Sequence, residues 1–307
     1  MHDDKIIKLL SIFTDKSNIQ KAIIGIYGLS LNSIQVNFIK QYKPHGIVLF
    51  SRNIDHNSNS QLLNLTKQII NCSQDHTPII FIDQEGGRVQ RINPPLSSRD
   101  YPPPLSLSST YFYNKQKCRD TIYENYYSLT KDMLKYGIKG ILGPVADLHY
   151  MTNTSVISDR SFSDDPNVVI DLVTSALLGI KDAGGLSCLK HAPGHGRAKV
   201  DSHFTLPVIY DDYLSLKNTD FRVFKELVSN ASVLIDYVMT AHVVFDCIDP
   251  HNPITTSVKG LKFLKSLVAN KKIISDDLCM KAIQGTMTSK IDCAIEAGCD
   301  FITVCHY

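Results

Sequence analysis

Residues 79–91 read Ile-Ile-Phe-Ile-Asp-Gln-Glu-Gly-Gly-Arg-Val-Gln-Arg. A short β-branched run, apolar on both faces, breaks off into carboxylates, glycines and arginines. A strand with two apolar faces belongs in a parallel sheet covered on both sides. The same pattern recurs at 22–27 (AIIGIY), 46–51 (GIVLFS), 79–84 (IIFIDQ), 140–145 (GILGPV), 187–191 (SCLKH), 237–242 (YVMTAH), 272–277 (KIISDD) and 300–305 (DFITVC). Amphipathic segments separate these runs, among them 58–72, 119–136, 167–183, 220–230, 257–270 and 289–297. Asp165 followed by Pro166 suits a helix start. Gly137, Gly184 and Gly298 fall where helix ends favour a left-handed residue. Eight strands alternating with helices predict an α/β chain folded as a single (β/α)8 TIM-type barrel over 1–307, with 1–20 as an N-terminal extension. The competing doubly wound sheet would carry a G-x-G-x-x-G turn after its first strand, whereas Gly28-Leu29-Ser30-Leu31 stands there. The proline-rich stretch 94–104 reads as a loop.

Composition narrows the function. The chain has 307 residues, 43% of them hydrophobic, enough for a large core without staples. Its 32 basic side chains against 30 acidic ones leave a net charge of +2, which argues against a nucleic-acid partner. No run of about 18 apolar residues suggests a membrane span. Asp3 and Asp4 stand where a secretory leader needs positive charge, so a cytoplasmic location is expected. The eight cysteines form no C-x-x-C pair and join no histidine at finger spacing, so neither a metal nor a cofactor is expected.

The barrel reading leaves one gap. The chain stops at Tyr307, two residues after the eighth strand, so the usual eighth helix is missing. Ile6, Leu9, Leu10 and Phe13 share one helical face, with Asp3 or Asp4 placed to cap it. This N-terminal helix is expected to pack beside strand eight and close the ring.

In this fold, chemistry gathers at the C-terminal ends of the strands. Polar residues cluster there. Strand three leads into Asp83 and Glu85 through Arg91. Strand four leads to Asp147 and then Asp159-Arg160. Strand five ends Lys190-His191-Ala192-Pro193-Gly194-His195-Gly196, followed by Asp201-Ser202-His203. Strand six ends at His242, and strand seven ends Ser275-Asp276-Asp277-Leu278. Only eight arginines accompany 24 lysines, yet Arg88, Arg91 and Arg160 all lie in these segments. A rigid donor fork suits hydroxyls or carboxylates gripped in a fixed plane.

LFSRN (49–53), DQEGGRVQR (83–91), DRSFSDDP (159–166), KHAPGHG (190–196), DSH (201–203), MTAH (239–242) and SDDL (275–278), in this order, resemble glycoside hydrolase family 3. The nearest likeness is to its bacterial β-N-acetylglucosaminidases of peptidoglycan recycling. The resemblance spans about residues 22–305. The family often carries Phe where Ala192 stands, and its usual chain runs on past strand eight.

The resemblance implies Asp276 as nucleophile. A strand-end carboxylate can form a glycosyl ester and split one hard step into two. Asp277 is expected to point away, because side chains alternate along a strand. The resemblance also implies His203 as general acid/base, since an imidazole reaches either charge state near neutral pH. Asp201 would orient its ring. Gly194, Gly196 and Pro193 predict a mobile loop that carries His203 over the sugar. Asp83, Arg91, Arg160, Lys190 and His191 form the implied substrate-binding set. Glu85 and Arg88 are expected to hold the turn after strand three, and His195 and His242 to be satisfied structural histidines.

The reaction expected is retaining removal of terminal β-1,4-linked N-acetylglucosamine from anhydro-muropeptides, a small carbohydrate substrate. A phosphorylase on the same scaffold, a metal-dependent hydrolase built on His191, His195, His203 and His242, and a non-catalytic sugar-binding barrel are the competing readings.

Overall fold

The computed structural model describes residues 3–72, 75–150 and 156–307. Eight strands form a closed, all-parallel ring: β1 (Ala22–Gly25), β2 (Gly46–Leu49), β3 (Ile79–Ile82), β4 (Gly140–Ile141), β5 (Leu186–Ala192), β6 (Tyr237–Thr240), β7 (Lys272–Asp277) and β8 (Phe301–Val304). Their neighbours follow chain order, and β1 closes the ring by pairing Ile23 with Thr303 on one side and with Gly46 on the other. Parallel strands need crossovers, and among the described residues eight helices of nine residues or more provide the outer layer. They are α1 (Asp3–Ser11), α2 (Ser33–Tyr42), α3 (Gln61–Asn71), α4 (Lys115–Lys135), α5 (Pro166–Ala183), α6 (Asp220–Ala231), α7 (Val258–Val268) and α8 (Met287–Ala297).

Local chemistry fixes the helix ends. Asp165 accepts from the Asn167 N–H with Pro166 at the first helical position, and Gly184 ends the same helix at φ 96°. Asn32 and Gln35 form a reciprocal capping box on α2. Two apolar layers result. Between strands and helices lies a large core that includes Leu62, Tyr126, Leu172, Phe224 and Leu261. Inside the barrel, Ile23, Val48, Phe81, Leu142, Tyr237, Met239 and Ile274 fill the axis. His45 plugs its lower end, stacked on Phe301 at 3.7 Å and hydrogen-bonded to the Tyr237 hydroxyl at 3.0 Å.

The N-terminal helix packs beside the β8–β1 seam, as the sequence predicted. Ile6, Leu9 and Phe13 are buried, α1 packs against α2, and Thr14 donates to Asp292 of α8 at 3.0 Å. The start of the chain thus lies between α8 and α2, outside the β8–β1 seam. Burying three large apolar side chains contributes about 5 kcal/mol as an upper figure. The side chains of Asp3 and Asp4, expected as caps, lie outside the described residues. No helix among the described residues is long and apolar enough to cross a membrane.

One irregularity matters for the site. Ile274 lies opposite Phe301, but Asp277 lies opposite Thr303, so β7 carries one extra residue against β8. Such a bulge re-aims side chains at a barrel rim.

Candidate active site

A cavity of about 650 Å³ opens at the C-terminal end of the barrel. All eight residues singled out in the sequence line it: Asp276, His203, Asp201, Asp83, Arg91, Arg160, Lys190 and His191. Glu85, Arg88, His195 and Asp277 line it too. The structure therefore brings together groups spread over almost 200 positions of sequence.

The floor is a lattice of paired charges. Glu85, at the edge of β3, is buried and takes Arg160 in a bidentate grip at 2.7 and 2.8 Å. Its Oε1 also lies 2.5 Å from Lys190 Nζ. Lys190 reaches Asp83 at 3.0 Å, and Arg91 reaches the other Asp83 oxygen at 3.4 Å. Burial alone would raise both carboxyl pKa values. The surrounding cations outweigh it and hold Asp83 and Glu85 below the ordinary range. Lys190 shows the mirror image: burial favours its neutral form, yet the two carboxylates push its pKa up. Glu85 thus ties the ends of β3 and β5 to the loop after β4 rather than holding one turn. Arg160 spends most of its fork on Glu85, which leaves it less free to donate to sugar hydroxyls than its residue type suggested. Arg88 does not hold that turn either. It clasps the loop after β4 through Asp159 at 2.8 Å and the Ile157 carbonyl at 3.2 Å.

Asp147 sets the second part of the floor. It is fully buried and accepts from the His195 N–H at 2.6 Å and from His191 Nδ1 at 2.7 Å. Burial raises its pKa, but His191 and His195 overcome that and hold the carboxyl ionised. A carboxylate only accepts, so His191 Nδ1 is the donor in this pair. Asp147 was visible in the sequence as a rim carboxylate. Its role as the anchor of two histidines depends on the β4–β5 approach and carried no local signal.

Asp276 sits in the β7 bulge. Its Oδ1 accepts the Asp277 N–H at 2.8 Å. Burial again raises its pKa, and the fields of His242, His191 and Lys190 bring it below the ordinary carboxylate value. It is therefore an anion at neutral pH, the state a nucleophile needs. Asp277 departs from the strict alternation expected of a strand. The extra residue leaves it at the cavity wall beside Asp276, where its Oδ1 accepts from Cys279 and Cys305 N–H groups at 3.0 Å each.

His203 and Asp201 come from the loop after β5. One Asp201 oxygen accepts both the His203 N–H at 2.8 Å and its Nδ1 at 2.7 Å. Burial raises the Asp201 pKa, but these bonds to His203 keep the carboxyl below its ordinary value. Asp201 thereby engages Nδ1 and leaves Nε2 free of that carboxylate. The loop is docked in this structure, with Ala282 donating to the Ser202 carbonyl at 3.2 Å and Lys281 to the His203 carbonyl at 3.4 Å. The glycines below it serve close packing as much as motion. A Cβ at Gly194 would come within 2.7 Å of Asp220, and one at Gly196 would strike the Leu148 carbonyl.

His195 bonds to the Ser202 hydroxyl at 3.0 Å. His242 is fully buried away from the cavity lining, against Thr255 and the Asp277 carbonyl. Among the described residues no group of three His, Cys, Asp or Glu side chains is placed to hold a metal ion.

Comparison with known proteins agrees with this geometry. The model of the glycosyl hydrolase family 3 N-terminal domain matches residues 1–307. A β-hexosaminidase of Thiobacillus denitrificans is 33% identical over 265 residues, covering 85% of this chain and 71% of its own. One from Photobacterium profundum is 33% identical over 288 residues, covering 92% and 81%. NagZ from Neisseria gonorrhoeae, solved in complex with N-trifluoroacetyl-D-glucosamine, superposes with a TM-score of 0.84 at 29% identity, covering 93% of this chain and 81% of its own. A family 3 β-N-acetylglucosaminidase from Paenibacillus gives a TM-score of 0.86 at 27% identity. This chain covers 55% of that longer one, which in turn covers 96% of this chain. With a family match over its whole length and relatives a third identical, the chain belongs to glycoside hydrolase family 3 and is a glycoside hydrolase.

Proposed function

We propose that this chain is a retaining exo-β-N-acetylglucosaminidase. Its substrate would be terminal β-1,4-linked N-acetylglucosamine on anhydro-muropeptides, as in peptidoglycan recycling, and its intermediate a glycosyl ester on Asp276. One observation carries the reading: an ionised strand-end carboxylate and an Asp201-oriented imidazole line the same cavity above a lattice of paired charges. The names of the relatives supply the sugar.

In the first step the Asp276 carboxylate attacks C1. The His203 imidazolium gives its Nε2 proton to the leaving oxygen, and the C1–O bond to the aglycone breaks. In the second step neutral Nε2 takes a proton from water. The water oxygen bonds to C1, and the ester bond to Asp276 breaks. Asp201 stabilises the imidazolium whenever it forms. Asp83, Arg91, Lys190 and His191 Nε2 offer donors and acceptors to the hydroxyls of the terminal sugar. Their mutual ion pairs fix them before substrate arrives, which lowers the reorganisation cost.

NMR of the released sugar tests this directly. The β-anomer of N-acetylglucosamine is expected first, and the α-anomer appearing first would contradict it. A neutral acid/base also tolerates an anionic acceptor, so the phosphorylase reading makes a distinct forecast. Added phosphate would then divert the product to the 1-phosphate, whereas hydrolysis leaves the product unchanged.

A further inference from the structure

The loop that carries Asp201 and His203 departs from β5 and returns to the framework before α6. Its two legs are held by different means. The returning leg is tethered through its backbone. Val208–Ile209 pair in parallel with Val244–Phe245 on the segment after β6. The Val244 N–H donates to the Pro207 carbonyl and the Asp246 N–H to the Ile209 carbonyl, at 3.0 Å each. The departing leg carries Arg197, two residues past His195 and four before Asp201.

Arg197 is largely buried and uses all three nitrogens of its fork. Nε donates to Asp220 Oδ2 at 2.8 Å, one terminal nitrogen to Asp211 Oδ1 at 2.5 Å, and the other to the Thr219 hydroxyl at 3.0 Å. Its flat face lies 4.6 Å from the ring centroid of Tyr150, whose hydroxyl donates to the same Asp220 oxygen at 3.1 Å. Asp220 opens α6, whereas Asp211 stands on the returning leg. The Arg197–Asp211 pair therefore closes the neck of the loop, with residues 198–210 beyond it, and the Arg197–Asp220 pair bolts that neck to the framework. None of Arg197, Asp211, Thr219 and Asp220 lines the catalytic cavity. A loop whose ends are pinned has fewer conformers to explore, so a closed neck keeps the tip near one place.

We infer that Arg197 is a positioning residue for the acid/base: by clamping the neck of the loop it sets where His203 Nε2 meets the leaving oxygen. It acts on proton transfer without touching the sugar. The inference rests on the glycosidase reading, in which His203 gives that proton, and adds the residue that places it.

The test compares two aryl N-acetyl-β-glucosaminides in kcat/KM, which reports cleavage of the C1–O bond. 2,4-Dinitrophenolate departs without a proton, whereas 4-methoxyphenolate needs one. Arg197→Met is expected to lower kcat/KM for the methoxyphenyl compound by about 10- to 100-fold and for the dinitrophenyl compound by less than about twofold. His203→Gln should split the two compounds at least as widely. Arg197→Lys keeps the charge, loses the fork and recovers part of the loss. Asp211→Asn opens the neck while leaving Asp220 paired, and is expected to split the compounds by about threefold. Burial pushes the Asp220 carboxyl up, so a chain lacking Arg197 can bury it protonated. If Arg197→Met still fails to fold, Asp211→Asn decides. Equal losses on both compounds, or none, in the Arg197 and Asp211 variants while His203→Gln keeps its split would overturn the inference. No split in His203→Gln would place the fault in the acid/base assignment beneath it, and both would fall.

Discussion

The floor and the rim of the cavity are built on different physics. On the floor, Asp83, Glu85, Lys190 and His191 stand at or just past strand ends and Asp147 and Arg160 on the segment after β4, largely buried and locked by ion pairs. On the rim, Asp201 and His203 ride on a loop, are partly exposed, and are tied to the rest of the protein by two main-chain bonds to Lys281 and Ala282 and by the His195–Ser202 bond between them. Recognition of a sugar wants rigidity, because each misplaced donor weakens several contacts at once. Proton transfer to a departing group wants an element that can approach and withdraw. The division predicts that floor substitutions show up first in stability and rim substitutions first in rate.

The largest effect belongs to the residue where the two regions meet. Asp276→Asn is expected to lower kcat by about 10⁴, the scale seen when a covalent nucleophile is removed. Release of 4-nitrophenol from the N-acetyl-β-glucosaminide measures it. His203→Gln is next, with a loss of about 10²- to 10⁴-fold in rate and a stability change within about 0.5 kcal/mol. A large fall in melting temperature would break the contrast, because the rim would then be structural. Glu85→Gln should do the reverse. It leaves Arg160 and Lys190 with a buried excess of charge, at about 3 kcal/mol of unfolding free energy. Denaturant titration reads it, and an unchanged midpoint would show that the floor lattice is not what holds the strand ends.

The last effect is on pH. Burial lowers the pKa of His195, on the cavity wall, and of His45, in the barrel plug, to about 4 each. In the unfolded chain both titrate near 6.5. The unfolded state therefore binds more protons between these values. Stability contributed by neutral burial is complete above about pH 6.5 and is lost as pH falls towards 4. After allowance for screening, the loss is about 2 kcal/mol per histidine. His195→Gln should flatten part of that slope, while an equally steep slope in the variant would assign it to other groups.

Much of this was legible in the sequence because its signals are local. Short runs apolar on both faces, set between helical segments, marked all eight strands, and the Asp165-Pro166 start and Gly184 end marked α5. The strand-end polar clusters located the cavity. What the sequence concealed depends on pairing between distant segments. The β7 bulge, which puts Asp276 and Asp277 side by side, arises from register against β8 and has no glycine or proline to announce it. Glu85 was expected to act within its own turn, but its partners lie 75 and 105 residues away. Charge pairing over such separations follows from barrel closure and not from spacing.

The central claim is that Asp276 is esterified by the sugar. Trapping with a 2-fluoro N-acetylglucosamine analogue, followed by peptide mapping, asks this of the protein itself. The account predicts one added sugar, on the peptide containing Asp276, and none after Asp276→Asn. A label on another carboxylate, or loss of activity with no covalent adduct on the chain, would contradict it.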